Sequence, residues 1–243
     1  MKTICLTAWN RPEYLRRCIA SLKRCIGIKE YTIVCNVEPG CSPVVEILKG
    51  IDFCNIDVII NPEVYGISKN RRRVMARGLA VSGDWIAGIE DDIEFSPDAL
   101  RLLEWAVDEY RDDKSFFDIG LSKLCIRGKF IQLPSSDPSK VHRRDVFSPL
   151  GWAIWADRLE KLLAVWDERD EWQGGWGWDF QADYARQKWG PWEIFPEVAR
   201  SFHFGVNGLH MDTGREWHNA YMRQENFLKE PYGGAYKGEF SNG

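Results

Sequence analysis

The chain of 243 residues lacks long hydrophobic runs and paired cysteines. No stretch approaches the ~18 consecutive apolar residues that a membrane-spanning helix needs. The opening MKTICLTAWN turns polar too early for a signal peptide. Six of the seven cysteines lie between Cys5 and Cys54, with no CxxC pair and no spacing typical of a metal site. An odd number of cysteines without a secretory signal favours reduced thiols in a cytoplasmic protein.

The sequence also lacks an excess of positive charge. A net charge of −4 gives no general electrostatic reason to bind nucleic acid or a membrane surface. Two local basic runs remain as candidate patches, residues 69–73 (KNRRR) and 142–144 (HRR), although such runs are often solvated faces. Twelve tryptophans are unusually many, and their flat faces suit either core packing or stacking on sugars and bases.

Strand-like and helix-like segments alternate through the first hundred residues. Apolar runs predict strands at 3–8, 31–37, 56–60 and 84–89. Helical spacing predicts helices from Pro12, with Asn10 as its cap, and at 42–49, 67–80 and about 96–110. Repeated units of this length predict an α/β fold, Rossmann-like, with a mainly parallel central sheet flanked by helices.

The second half of the chain is less regular. Residues 123–146 read as a loop or hairpin that crosses a cleft, and residues 150–166 as a strand or turn leading into an amphipathic helix. Another helix is predicted from about Asp179. We expect a single domain over residues 1–230, with halves 1–110 and 111–230, and a flexible tail at 231–243.

Polar residues follow several predicted strands at the point where each strand ends. Residues 7–11, Glu38 and the triplet Glu90-Asp91-Asp92 all occupy such positions. In parallel sheets the ligand binds at this edge, so the pattern predicts a binding cleft. Three adjacent carboxylates form either an acidic surface turn or a site for Mg²⁺ or Mn²⁺, which prefer oxygen ligands and bridge to phosphates.

Four segments carry a resemblance to a known family. LTAWNRPEYLRRCIASL resembles the opening of sugar-nucleotide-dependent glycosyltransferases of the GT-A fold, and GISKNRRRVMARGLAVSGDWIAGIEDDIEFSPDAL resembles their helix, strand and metal motif. EDDIEFSPD is most similar to the N-acetylglucosaminyltransferase I family, as are SPLGWAIWADRLEKL and PEVARSFHFGVNGLH. The likeness covers most of residues 2–227 in the same order. The family's Trp-Asp-Asp-Trp segment appears only as GWGWDF.

The resemblance implies an inverting, metal-dependent transfer of a sugar, such as N-acetylglucosamine or glucose, from a UDP-sugar to an acceptor hydroxyl. Residues 1–110 would then bind the nucleotide-sugar donor, and residues 111–230 would bind the acceptor and carry the catalytic general base. By position in the motifs, Asp92 would bind the Mn²⁺ or Mg²⁺ ion directly. Asp91, as a further candidate ligand, and Glu90 would hold the ribose or the waters around the ion.

The resemblance also assigns residues around the donor and the base. Glu38 would be the acidic residue against the nucleobase and ribose. The nucleobase pocket would be lined by Thr7, Ala8, Asn10 and Arg11. The nucleotide or its phosphates would be approached by Asn70, Arg71 and Arg72. Asp179 matches the family's general base, with Asp183 one helical turn later as the alternative; a plain helix cap is the other interpretation of Asp179. His210, or His203, would touch the metal or diphosphate in a loop that Gly205 and Gly208 let move.

Other functions share some of these features. A nucleotidyltransferase of the same fold would need a Gly-rich, basic signature near the first strand, which LTAWNRPEYL lacks. A sugar- or nucleic-acid-binding module without catalysis would use the tryptophans and arginines. For the enzyme the acceptor stays open between a glycan, a lipid-linked sugar, a protein and a hydroxylated base of DNA, the last suggested by the basic runs.

Overall fold

The computed structural model describes residues 1–123, 136–169, 177–205 and 227–240. Its strands are β1 Lys2–Ala8, β2 Tyr31–Val37, β3 Asn55–Ile60, β4 Trp85–Glu90, β5 Ile93–Phe95, β6 Phe116–Gly120, β7 Lys140–Arg144, β8 Trp152–Trp155, β9 Trp192–Pro196, β10 Ser201–His203 and β11 Lys237–Gly238. Its helices are α1 Pro12–Lys23, α2 Ser42–Lys49, α3 Ile67–Ser82, α4 Ala99–Glu109, α5 Ala156–Val165 and α6 Trp178–Trp189. Within these described ranges, no helix combines the length and apolar character that crossing a bilayer requires. The cytoplasmic location stays a prediction.

A nine-stranded sheet forms the centre of the fold, in the order β11-β7-β9-β6-β8-β4-β1-β2-β3. Strands β4, β1, β2 and β3 are all parallel. Strand β8 is antiparallel to both of its neighbours, β4 and β6. Strands β5 and β10 form a separate antiparallel pair. The predicted α/β fold with a mainly parallel central sheet is confirmed.

Helices cover both faces of the sheet, which explains why β1 and β2 read as continuous apolar runs. Alternate residues of β1 enter different cores. Ile4 and Leu6 pack with residues of α1, α2 and α4. Cys5 packs on the other face with residues of α3, α5 and α6. Both faces therefore bury apolar surface.

Two local expectations differ from the structure. Residues 140–144, expected within a loop or hairpin over the cleft, form strand β7 between β9 and β11 of the main sheet. Asn10 was expected to cap α1, but the capping position is Arg11, without a side-chain hydrogen bond, and Pro12 occupies the first turn. A proline there needs no amide partner, so the helix can begin without a polar cap.

Residues 231–240, expected to belong to a flexible tail, contact the rest of the domain in the structure. Tyr236 is only 8% exposed, and its hydroxyl donates a hydrogen bond to Asp98 Oδ2 at 2.9 Å. Strand β11 pairs with β7, and Phe240 packs against Phe116. Although the segment is rich in glycine, aromatic residues recur in it, and these supply the apolar surface that packs against the domain.

Buried charged residues connect strands β6, β7 and β9. Asp118 of β6 stands opposite Glu193 of β9 in the sheet register, and both are fully buried. Arg144 of β7 donates from Nε to Glu193 Oε1 at 2.7 Å. Burial, followed by the neighbouring Glu193 charge, raises the pKa of Asp118 well above its usual range. Asp118 therefore keeps its proton far above the pH at which an exposed aspartate loses it.

This carboxyl pair is expected to make folding stability depend on pH. The folded protein keeps a proton on Asp118 that the unfolded chain releases near pH ~4. The free energy of unfolding should therefore fall, by up to about 1.4 kcal/mol per pH unit, as the pH rises from ~4 through the raised pKa. Asp118→Asn should flatten this slope in urea unfolding across that range, whereas the exposed Asp84→Asn should not. The same pH dependence of the unfolding free energy in wild type and Asp118→Asn would contradict a raised pKa of Asp118.

Candidate active site

The ends of three parallel strands meet at one edge of the sheet. Ala8, the last residue of β1, pairs in register with Val37 of β2, and Thr7 pairs with Glu90 of β4. The amide of Glu38 donates to the carbonyl oxygen of Ala8 at 3.0 Å. Thr7, Ala8, Glu38 and the carboxylate triplet are thus brought together, at the edge where the strand pattern places a ligand.

The three carboxylates of the triplet have different partners. Arg11, which enters helix α1, donates from Nη1 to Asp92 Oδ2 at 2.8 Å and from Nη2 to Asp91 Oδ1. Glu90 instead accepts a hydrogen bond from Arg71 Nη2 at 2.7 Å. Two guanidinium groups on opposite sides offset the repulsion of three adjacent negative charges. Asn10 lies beside Arg11 on the exposed surface.

Asp91 and Asp92 differ in pKa although both are buried. Burial raises the pKa of Asp92, but His203 and Arg11 together outweigh it and lower this pKa to about 2. Burial raises the pKa of Asp91, and Arg11 offsets only part of the increase. Asp92 is therefore the carboxylate that stays ionised throughout the physiological range.

The surroundings of Asp92 fit a divalent cation. Its Oδ1 atom is buried and has no hydrogen-bond partner among the residues that the structure describes. His203 Nε2 lies 3.4 Å from Asp92 Oδ2, and the Phe204 amide donates to the Asp92 carbonyl at 3.0 Å. A carboxylate oxygen beside an imidazole suits Mn²⁺, and such ions bind through one or two protein groups plus phosphates. No group of three potential ligands occurs in the described residues, and His210 and Gly208 lie outside them.

Glu38 is part of a buried polar cluster that the sequence did not fully reveal. Both of its carboxylate oxygens accept from the Tyr65 amide, at 3.2 and 3.1 Å. Asn61 donates from Nδ2 to Glu38 Oε2 at 3.0 Å and to Asn70 Oδ1 at 2.9 Å. Asn61 directly follows β3, so its position at a strand end was the signal that would have identified it.

The two arginines expected near the phosphates lie in different environments. Arg71 is fully buried and also donates from Nη1 to the carbonyl oxygen of Ile89 at 2.8 Å. It therefore reaches the triplet from inside the protein and not from the solvent side. Arg72 is partly exposed, and its Nη1 lies 3.4 Å from Glu168 Oε1.

Helix α6 carries both candidate bases. Asp179 lies in its first turn, partly exposed, and Gly177 occupies the capping position. Asp179 is thus inside the helix and is not its cap. Asp183 is buried and accepts hydrogen bonds from the Phe147 amide and from Arg186 Nε, both at 3.0 Å. These contacts join α6 to the segment before β8.

Each of the two basic runs has one arginine buried in the structure. In residues 69–73, Arg71 is fully buried. In residues 142–144, Arg144 is buried against Glu193. Arg71 and Arg144 therefore pair with carboxylates, Glu90 and Glu193, and do not add to a basic surface.

Comparison with a protein family identifies the first half of the chain. The model of the family described as Glycosyl transferase family 2 matches residues 3–124, half of the chain. A curated relative, the alpha-1,3-mannosyl-glycoprotein 2-beta-N-acetylglucosaminyltransferase of Arabidopsis thaliana, is 27% identical over 120 residues, which are 49% of this chain and 24% of that protein. The chain thus spans about a quarter of the relative's length.

Solved structures with the same fold cover more of the chain. S. aureus TarS 1–349 in complex with UDP superposes with a TM-score of 0.62 at 14% identity, over 83% of this chain and 60% of that chain. The same protein in complex with UDP-GlcNAc gives a TM-score of 0.63 at 14% identity, over 92% of this chain and 65% of that chain. The likeness confirms the GT-A fold.

Proposed function

The chain belongs to glycosyl transferase family 2, and from that premise we propose an inverting, metal-dependent transfer of a sugar from a UDP-sugar to an acceptor hydroxyl. The observation that carries the proposal is the buried Asp92 at the carboxyl edge of parallel strands. Its Oδ1 has no partner among the residues that the structure describes, and His203 Nε2 lies 3.4 Å from its Oδ2. N-acetylglucosamine is the sugar we favour. A curated N-acetylglucosaminyltransferase is a relative, and a structural neighbour binds UDP-GlcNAc.

In this proposal the strand ends hold the nucleotide. Glu38, fixed by Asn61 and Tyr65, would face the base and ribose, and Asp91 would face the ribose. Asp92, with His203, would hold Mn²⁺ or Mg²⁺. When bound, such an ion neutralises the charge that develops on the departing diphosphate. Arg71 would act on the donor through Glu90, because its own guanidinium is buried.

The acceptor hydroxyl would lose its proton to Asp179. As its oxygen bonds to the anomeric carbon, the bond from that carbon to the diphosphate oxygen breaks, and the electron pair leaves with UDP. Attack from the opposite face inverts the anomeric configuration. Asp179 is the base we propose, since Asp183 is buried and bound by Phe147 and Arg186. A base must reach the proton that it removes.

A panel of nucleotides and nucleotide-sugars tests the proposal without knowledge of the acceptor. UDP and one UDP-sugar should raise the melting temperature more in Mn²⁺ or Mg²⁺ than in EDTA, and water should replace the acceptor in slow, metal-dependent hydrolysis. GDP-, ADP- and CMP-linked compounds serve as controls. Absence of any response to a uridine nucleotide, with or without metal, would refute the proposal.

Gly205 supports the proposed cation site by having no side chain. A Cβ atom there would overlap Asp92 Oδ2 and would lie 2.7 Å from His203 Nε2. In Gly205→Ala one of these groups must move, so Mn²⁺-dependent UDP binding should weaken by at least about tenfold. Titration calorimetry measures this, with Gly233→Ala as the control, because a Cβ at Gly233 meets nothing within 4 Å. Equal affinity in the two variants would contradict the assignment of the site.

A further inference from the structure

One buried arginine connects the carboxylate triplet to the helix that carries the proposed base. Arg71 of α3 donates from Nη2 to Glu90 Oε1 at 2.7 Å. Its guanidinium carbon lies 4.7 Å from the centre of the Trp178 ring. Trp178 is the first residue of α6, directly before Asp179. A single side chain thus binds Glu90 and lies over the ring of the first residue of α6.

The start of helix α6 packs against aromatic rings and, through them, against α3. The Trp178 ring stacks against both Trp166 and Trp152, with centroids at 6.1 and 6.0 Å. Trp166 Nε1 donates to Ser68 Oγ at 3.1 Å, and Ser68 lies one turn before Arg71 on α3. The first turn of α6 is therefore held against α3 as well as by contacts of its own.

We propose that Arg71 is a positioning residue. By binding Glu90 and the Trp178 ring at the same time, it fixes Asp179 relative to the donor site. The inference rests on the proposed function, in which Asp179 is the base. Only arginine has a planar face for stacking and several donors along its edge, so lysine cannot keep both contacts. A displacement of a reacting group by about 1 Å can cost about 100-fold in rate.

Two substitutions should separate positioning from donor binding. In Arg71→Lys the ammonium group can still pair with Glu90, but the contact between the guanidinium group and the Trp178 ring is lost. We expect kcat for UDP-sugar hydrolysis to fall about 100-fold, with the Kd for UDP within about threefold of wild type. Trp178→Phe keeps the Arg71–Glu90 pair and shrinks the stacking surface. It should also lower kcat, by about tenfold, with UDP binding unchanged.

Arg158→Lys is the matched control. Arg158 is also fully buried and also lies over a tryptophan, Trp155, at 4.2 Å. It binds the backbone carbonyls of Phe116 and Asp113, so the same substitution removes a comparable buried contact outside the site. A loss of kcat in Arg71→Lys no larger than in Arg158→Lys would make Arg71 merely structural.

Hydrogen exchange of the α6 amides tests the inference independently of activity. Arg71→Lys should speed exchange at the start of α6, and Arg158→Lys should not. Unchanged exchange in Arg71→Lys would overturn the positioning role even if the enzyme lost activity. If wild type neither binds UDP nor hydrolyses a UDP-sugar, the proposed function fails, whereas the exchange result still decides whether Arg71 positions α6.

Discussion

Asp179→Asn is expected to lower kcat for sugar transfer and hydrolysis by about 10²–10⁴-fold, the usual contribution of a general base. The substitution keeps the size of the side chain and removes its ability to take a proton. Asp179 lies in the first turn of α6 and Glu38, Asp91 and Asp92 lie at strand ends, so UDP binding should stay within about threefold of wild type. Single-turnover rates and calorimetry with UDP measure the two effects separately.

Asp183→Asn is the control one helical turn away. Asp183 is buried and paired with Arg186, so its neutralisation leaves a buried positive charge without its partner. We expect a loss of about 3–5 kcal/mol in the free energy of unfolding, with kcat of the folded protein preserved. The reverse outcome, in which Asp183→Asn abolishes turnover and Asp179→Asn does not, would make Asp183 the base.

The strands and helices of the first hundred residues could be predicted because their signal is local. The run YTIVCNV and the segment 42–49 gave β2 and α2 with the same bounds as the structure. Apolar spacing and proline at a helix start depend only on neighbours in sequence. Because parallel strands share an edge, the clustering of Glu38 with the triplet also followed from the element order alone.

The partners of the polar side chains could not be predicted, because they depend on packing between distant segments. Arg71 lies in a basic run, and nothing local shows that it is buried against Glu90. Similarly, Asp118 and Glu193 are 75 residues apart in numbering and meet only through the register of β6 and β9. Tyr236 reads as part of a polar tail until Asp98 is found beside it.

Asp92→Asn is expected to abolish metal-dependent binding of UDP and to lower kcat/KM by about 10³-fold or more. Asparagine keeps the shape of the side chain, but its neutral amide cannot supply the charge that a divalent cation needs. The fold should survive, because Arg11 keeps Asp91 as its partner and the change leaves one buried carboxylate where two were adjacent. Calorimetry with UDP in Mn²⁺ and in EDTA, together with steady-state kinetics, measures the effect.

Asp91→Asn makes the same chemical change one residue earlier and so serves as the comparison. Asp91 binds Arg11 and, in our proposal, the ribose, so its substitution should weaken UDP binding by about tenfold and leave the metal dependence intact. The two variants should therefore differ in the metal dependence of UDP binding, which is the property that defines the cation site. A larger loss of metal dependence in Asp91→Asn than in Asp92→Asn would exchange their roles. If both variants bound UDP as tightly in EDTA as wild type does in Mn²⁺, the triplet would not hold a cation at all.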